Sequence, residues 1–242
     1  MTRRMMWACW VCLAAISANG LAAGEQRSTA EQGLERLRRG NVAYRAGKID
    51  LSRSGGARRA EVAGNQHPFA TVLTCSDSRV PPELIFNQGL GDLFVVRTAG
   101  AVPDQAVLGS MEYAAEHLQV PLVVVMGHTS CGAVKAAMET PAPAKPDPAG
   151  INLERILSAI RPSLEHAART GDLWTSAVYA SVHQNLDDIA RCSPVLTELS
   201  ESGKVIFVGA VYELESGKVD FLEPVAFRSR HNRVVLPGAS GR

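Results

Sequence analysis

Three short runs, residues 69–74, 93–96 and 122–126, are apolar almost without interruption, and the last is mostly valine. Successive strand residues point to opposite faces of a sheet, so a strand with one face in water alternates apolar with polar side chains. A run that does not alternate must be covered on both faces. Residues 106–118, between the second and third runs, have the length and composition of a helix, and residues 151–166 and 177–190 carry helical patterns further on. Covered strands separated by helices define an α/β fold with a mostly parallel sheet flanked by helices. Residues 205–212 and 218–222, joined by the polar segment 213–217, read as a strand and its antiparallel hairpin partner. The expected sheet therefore has four parallel strands plus an antiparallel edge strand.

The remaining segments read as accessories to that sheet. Leu34, Leu37 and Tyr44 recur among charges at helical spacing, which makes residues 28–45 an amphipathic helix and residues 28–50 an N-terminal helical arm. Residues 52–64 are rich in Gly, Ser and Arg and read as loop; prolines at 141, 143, 146 and 148 mark residues 140–150 as an exposed loop. Residues 228–242 are basic and carry Gly and Pro near the end, the pattern of a flexible tail. The first 23 residues differ in kind: Arg3 and Arg4, an apolar stretch over residues 5–16, then Ala18, Gly20, Ala22 and Ala23 form the pattern of a cleaved secretory signal. The expected protein is exported, periplasmic or secreted, with its single domain at residues 24–227 and no stable membrane association after cleavage.

With 242 residues, 46% of them hydrophobic, the chain can bury one substantial core. Lys and Arg number 25 against 24 for Asp and Glu, so no excess of cations advertises nucleic acid and the expected ligand is small. Cysteines stand at 9, 12, 75, 131 and 192, too scattered for a disulfide scaffold. Removal of the leader would leave three, an odd number. Cys192, beside Ser193 and Pro194, reads as a helix-end thiol.

Chemistry concentrates in two segments, each directly after an apolar run: Cys75-Ser76-Asp77-Ser78-Arg79 and His128-Thr129-Ser130-Cys131. In an open parallel sheet, ligands bind outside the carboxyl ends of strands where the strand order reverses. If the strands before Cys75 and His128 are neighbours, two thiolates and an imidazole meet there. That donor set suits tetrahedral zinc, and three protein ligands leave a fourth position for water. Asp77 sits close enough to take the fourth position itself unless a guanidinium restrains it, and Arg79 is the candidate restraint. The rival reading of the two cysteines is a disulfide between Cys75 and Cys131.

These segments also carry a resemblance. CSDSRV at 75–80, GDLFVVRTAG at 91–100, AVLGSMEYA at 106–114, GHTSCGAV at 127–134 and VGAVY at 208–212 closely resemble, in order, motifs of the β-class carbonic anhydrases, and the likeness spans residues 34–222. The resemblance implies one zinc ion per subunit on Cys75, His128 and Cys131, an Asp77–Arg79 catalytic dyad, and reversible hydration of carbon dioxide to bicarbonate and a proton through zinc-bound hydroxide. It implies a homodimer or homotetramer, with the arm packed on a partner and a substrate pocket formed partly across the interface. Gln66 matches a substrate-binding glutamine, Phe94, Ala99 and Tyr113 match an apolar wall, and Gly132 matches a backbone donor near the zinc. Val72 stands where the subclass with a bicarbonate-driven closed site has tryptophan, which favours the open-site subclass; Thr98 stands where many relatives have asparagine. The alternatives to weigh are hydrolysis of CS2 or COS on the same scaffold and a non-catalytic protein that binds zinc or senses bicarbonate.

Overall fold

The structure, a computed structural model, describes residues 28–143, 151–168, 171–228 and 232–235. The segment read as a leader, most of the one read as a proline-rich loop and the end of the one read as a tail lie outside the described residues. In chain order the elements are α1 (Ala30–Arg45), α2 (Gly56–Val62), β1 (Ala70–Cys75), α3 (Pro82–Ile85), β2 (Leu93–Thr98), α4 (Gln105–Glu116), β3 (Leu122–His128), α5 (Gly132–Glu139), α6 (Ile151–Leu164), α7 (Leu173–Cys192), α8 (Pro194–Glu201), β4 (Ile206–Tyr212), β5 (Val219–Phe221), β6 (Val225–Arg228) and β7 (Asn232–Val235).

One sheet runs in the order β2-β1-β3-β4-β6-β7, with β5 also paired to β4. β2, β1, β3 and β4 are parallel, as their unalternating composition requires. The antiparallel side is larger than one edge strand. β5 and β6 pair with successive stretches of β4, and β7 folds back on β6. Part of the segment read as a flexible tail, Asn232–Val235, is thus a strand: its backbone finds partners on an edge that β6 leaves open.

β1, β3 and β4 bury both faces, whereas β2, at the edge of the sheet, is only half-buried along its length. Val72, Val124, Met126, Val208 and Ala210 pack toward α1, where Leu34 and Leu37 are buried. Leu73, Val123, Val125 and Phe207 pack toward α4, α7 and α8 through Leu108, Met111, Leu186, Ile189 and Leu196. The arm is therefore a helix over its own sheet, begun by a capping box between Thr29 and Gln32. Its apolar stripe is covered by the same chain, and on its outer face Val42 is exposed. Gly40 makes the close approach possible, since a Cβ there would lie 1.8 Å from the Phe86 carbonyl oxygen.

Residues 52–64 are not all loop. Ala57, Arg58, Arg59, Ala60 and Glu61 are good helix formers, and with a Gly N-cap at Gly55 they make α2, which buries none of its residues. It is fastened by Arg58, whose Nε donates to the Leu90 carbonyl at 2.9 Å and whose Nη2 reaches Asp92 Oδ1 at 3.3 Å. Asp92 is buried and also binds Arg36 at 2.7 Å and Arg53 at 2.6 Å, so one carboxylate ties α1, the loop before α2, α2 and β2 together.

Candidate active site

Cys75 ends β1 and His128 ends β3, and these strands are adjacent and parallel. The chain leaves β1 for β2 on one side and β3 lies on the other, so the order reverses at this point. Three residues beyond His128, Cys131 is the N-cap of α5; the intervening turn is closed by Ser130 at φ +55° and by Thr129 N–H donating to the Tyr212 carbonyl at 2.9 Å. The candidate ligand atoms of Cys75, His128 and Cys131 all lie within 4.8 Å of one another, and all three residues are buried.

The donor chemistry fits a metal. His128 Nδ1 donates to the Thr129 carbonyl at 2.9 Å, which leaves the lone pair on Nε2. That Nε2 is buried and without a hydrogen-bond partner, an expensive arrangement unless something else takes its lone pair. Cys75 and Cys131 are both free, so no disulfide closes the gap between them. The neighbouring Cys131 thiol lowers the pKa of Cys75, against the opposing effect of burial and with help from His128 and the Gly100 amide; the same pairing, with burial, pushes Cys131 up. A cavity of about 10 Å³ lined by Cys75, Gly100, His128, Cys131 and Ser181 adjoins the set.

Asp77 is held as the sequence pattern suggests. Arg79 Nε donates to Asp77 Oδ1 at 2.9 Å and Nη2 to Oδ2 at 2.8 Å, and the Arg79 backbone N–H also reaches Oδ1 at 2.9 Å. These bonds keep the Asp77 carboxyl well below the usual carboxylate range, Arg79 outweighing partial burial. Asp77 Oδ2 remains 3.8 Å from His128 Nε2.

Sequence reasoning missed the supports behind this set. Arg97 donates from Nε to the Cys75 carbonyl at 3.1 Å and from Nη2 to the Asp77 carbonyl at 2.6 Å, clamping the turn that carries both residues. Its signal was available as the single cation at the end of an apolar run. Trp174 Nε1 donates to the Cys131 carbonyl at 3.0 Å, and the Gly100 N–H donates to Cys75 Sγ at 3.4 Å. Thr98 hydrogen-bonds the Val102 carbonyl at 2.9 Å, and Val72 is fully buried under α1.

The substrate-wall candidates divide. Ala99 stands beside Gly100, and Gly132 opens α5 directly after Cys131. Gln66, Phe94 and Tyr113 are not brought to this chain's donor set. Gln66 is exposed and precedes β1, whose length alone puts about 17 Å between its ends. Phe94 is in register with Thr71 near the amino end of β1 and faces Tyr113, ring centroids 6.4 Å apart.

A Cys, His, Cys donor set with a restrained carboxylate, at the carboxyl edge of a parallel sheet, defines an α/β protein with a site of the kind that metal-dependent enzymes use. A family model described as carbonic anhydrase matches residues 70–219. Carbonic anhydrase 2 of Mycobacterium tuberculosis is 39% identical over 191 residues, covering 75% of this chain and 87% of that one. The carbonic anhydrase of Mycolicibacterium smegmatis is 40% identical over 185 residues, covering 76% and 89%. Among solved structures, the Coccomyxa β-carbonic anhydrase in complex with acetazolamide matches with a TM-score of 0.61 at 27% identity over 69% of this chain and 78% of that one. A tetrameric β-carbonic anhydrase of Sordaria macrospora shares the fold, with a TM-score of 0.57 at 21% identity over 69% and 90%. The chain belongs to the β-class carbonic anhydrase family and is an enzyme of the lyase class.

Proposed function

We propose that this enzyme catalyses the reversible hydration of carbon dioxide to bicarbonate and a proton, with one zinc ion per subunit held by Cys75 Sγ, His128 Nε2 and Cys131 Sγ. The observation that carries the reading is the buried donor set paired with Asp77, fixed by the Nε–Nη2 edge of Arg79 and 3.8 Å from His128 Nε2. Zinc bound there would supply a nucleophile derived from water near neutral pH. Ionised Asp77 has only acceptor atoms, so it takes the nucleophile's hydrogen bond and leaves a lone pair for the carbon of the substrate. Arg79 engages both Asp77 oxygens, which restrains the carboxylate from becoming a fourth ligand.

Gln66 and the Gly132 N–H steady the oxygens of bicarbonate, and Phe94, Ala99 and Tyr113 form the apolar wall. Gln66, Phe94 and Tyr113 lie away from this chain's own donor set, which supports a pocket completed by a second copy in a homodimer or homotetramer. The enzyme works outside the cytoplasm in this reading, supported by Arg3, Arg4 and the apolar run over residues 5–16.

The test is stopped-flow hydration of carbon dioxide by zinc-loaded protein and by Asp77→Asn, between about pH 6.5 and 9. Hydration by the native protein that rises with pH, with a loss of about 100-fold or more in the variant at unchanged zinc content, is the expected outcome. Absence of hydration in zinc-loaded protein rejects the reading; turnover of COS or CS2 in that same protein would then identify the hydrolase alternative.

A further inference from the structure

We propose that Asn185 is a positioning residue for Cys75, acting through Gly100. The inference rests on the reading of Cys75, His128 and Cys131 as zinc ligands. Asn185 lies on α7, remote in sequence from both ligand segments, and is buried on a helix whose neighbouring Val182, Leu186 and Ile189 are core residues. A buried amide among apolar side chains is unfavourable unless its polar atoms are matched. Asn185 Nδ2 donates to the Gly100 carbonyl at 3.3 Å.

Gly100 needs such a hold. It sits at φ +70° in the turn Ala99–Ala101, and the next residue, Ala101, is also left-handed at φ +57°. Two successive left-handed residues, one of them alanine, are a conformation that the chain does not choose locally and that its surroundings must impose. A Cβ at Gly100 would lie 2.7 Å from Ile160 Cδ1, so any side chain there would displace that methyl group as well as take up the left-handed conformation. Asn185 pins the peptide after Gly100, and the turn so fixed aims the peptide N–H before it at Cys75 Sγ, 3.4 Å away. Thr98 braces the same turn through its bond to the Val102 carbonyl. Asn185 also lines the small cavity that Cys75, His128 and Cys131 share, so α7 reaches the donor set at this residue.

An N–H donated to a thiolate ligand withdraws charge from the sulfur and fixes its direction. Such supporting hydrogen bonds set metal affinity and ligand electronics without touching substrate. Loss of Asn185 frees the turn, weakens the N–H to sulfur bond and leaves Cys75 more electron-rich and less well aimed.

Two variants test this in the full-length protein. Asn185→Asp keeps the shape and removes the donor; Asn185→Leu keeps the approximate volume and removes all polarity. Zinc affinity is read by competition with a chromophoric chelator, and the sulfur-to-metal charge-transfer band is read after cobalt substitution. Both variants are expected to bind zinc about 10- to 100-fold more weakly, with the cobalt band moved to lower energy. A purely structural role would lower the melting temperature of the metal-free protein while leaving the cobalt band of the folded variant in place. An unmoved band and an affinity within about 2-fold of the native value, in either variant folded by circular dichroism, overturn the proposal. A native protein that binds neither zinc nor cobalt, or binds them unchanged after His128→Ala, rejects instead the reading of the metal site on which the proposal depends.

Discussion

Asp77 and Arg79 are two residues apart on one loop, and the salt bridge between them is local enough to read from spacing. The fork geometry is what matters chemically: Nε and Nη2 of one guanidinium meet the two carboxylate oxygens at 2.9 and 2.8 Å. A lysine ammonium cannot span both oxygens. Arg79→Lys is therefore expected to keep zinc and fold while lowering kcat/KM for carbon dioxide about 10-fold or more, because a carboxylate held at one oxygen is free to approach the metal position. Steady-state hydration beside metal analysis checks this, and unchanged kcat/KM would show that the fork is dispensable. Arg97 acts across strands instead. It reaches the Cys75 and Asp77 carbonyls only because β1 and β2 pair with Cys75 opposite Thr98, a register that spacing along the chain does not reveal.

Elements are joined at a few points where a single atom decides the fit. At the α1–α3 contact, Gly40→Ala would drive a methyl group into the Phe86 carbonyl, and backbone on both sides leaves no flexible neighbour to yield. The expected loss is about 2 kcal/mol or more, seen as a lower melting temperature with the site chemistry retained. Asp92 joins α1, α2 and β2 by a different means. Burial alone would raise its pKa, but the bond from Arg53, the Gly89 amide and the charge of Arg36 prevail and lower it. A carboxyl whose pKa is lower folded than unfolded contributes stability above its unfolded value of about 4 and loses it as pH falls through the folded value. Asp92→Asn is expected to destabilise the protein at pH 7 by about 2 kcal/mol, discounted for the partial exposure of Arg36 and Arg53, and the gap to the native protein is expected to narrow below about pH 4. Melting temperatures across that range measure it; a gap independent of pH would refute the electrostatic account. The helical stripe of α1 was legible from Leu34 and Leu37. What it covers was not, because an apolar stripe specifies burial without specifying which surface supplies it.

At the scale of the whole molecule, Gln66 and Asp77 lie at opposite ends of β1 in one chain. If a second copy completes the pocket, a subunit with Gln66→Ala still offers Asp77, and one with Asp77→Asn still offers Gln66 to its partner. Each variant alone is expected to be weakly active, and a 1:1 co-refolded mixture is expected to regain about a quarter of native site activity, the share of sites that random pairing restores. No recovery, in a mixture shown to form heterodimers, would place Gln66 outside the partner's site.

The sequence by itself determined the parallel character of the sheet, the two ligand segments at strand ends and the Asp77–Arg79 pair. Each of these follows from a pattern only a few residues long: unalternating apolar runs, donor atoms three residues apart, opposite charges two apart. Tertiary structure decided that β1 and β3 are neighbours, that α1 covers its own sheet, that residues 232–235 extend the sheet, and that Arg97, Trp174, Gly100 and Asn185 stand behind the ligands. Those contacts join residues far apart in the chain. Packing selects them by which surfaces fit and which buried polar groups find partners, and neither condition is encoded in any short stretch of sequence.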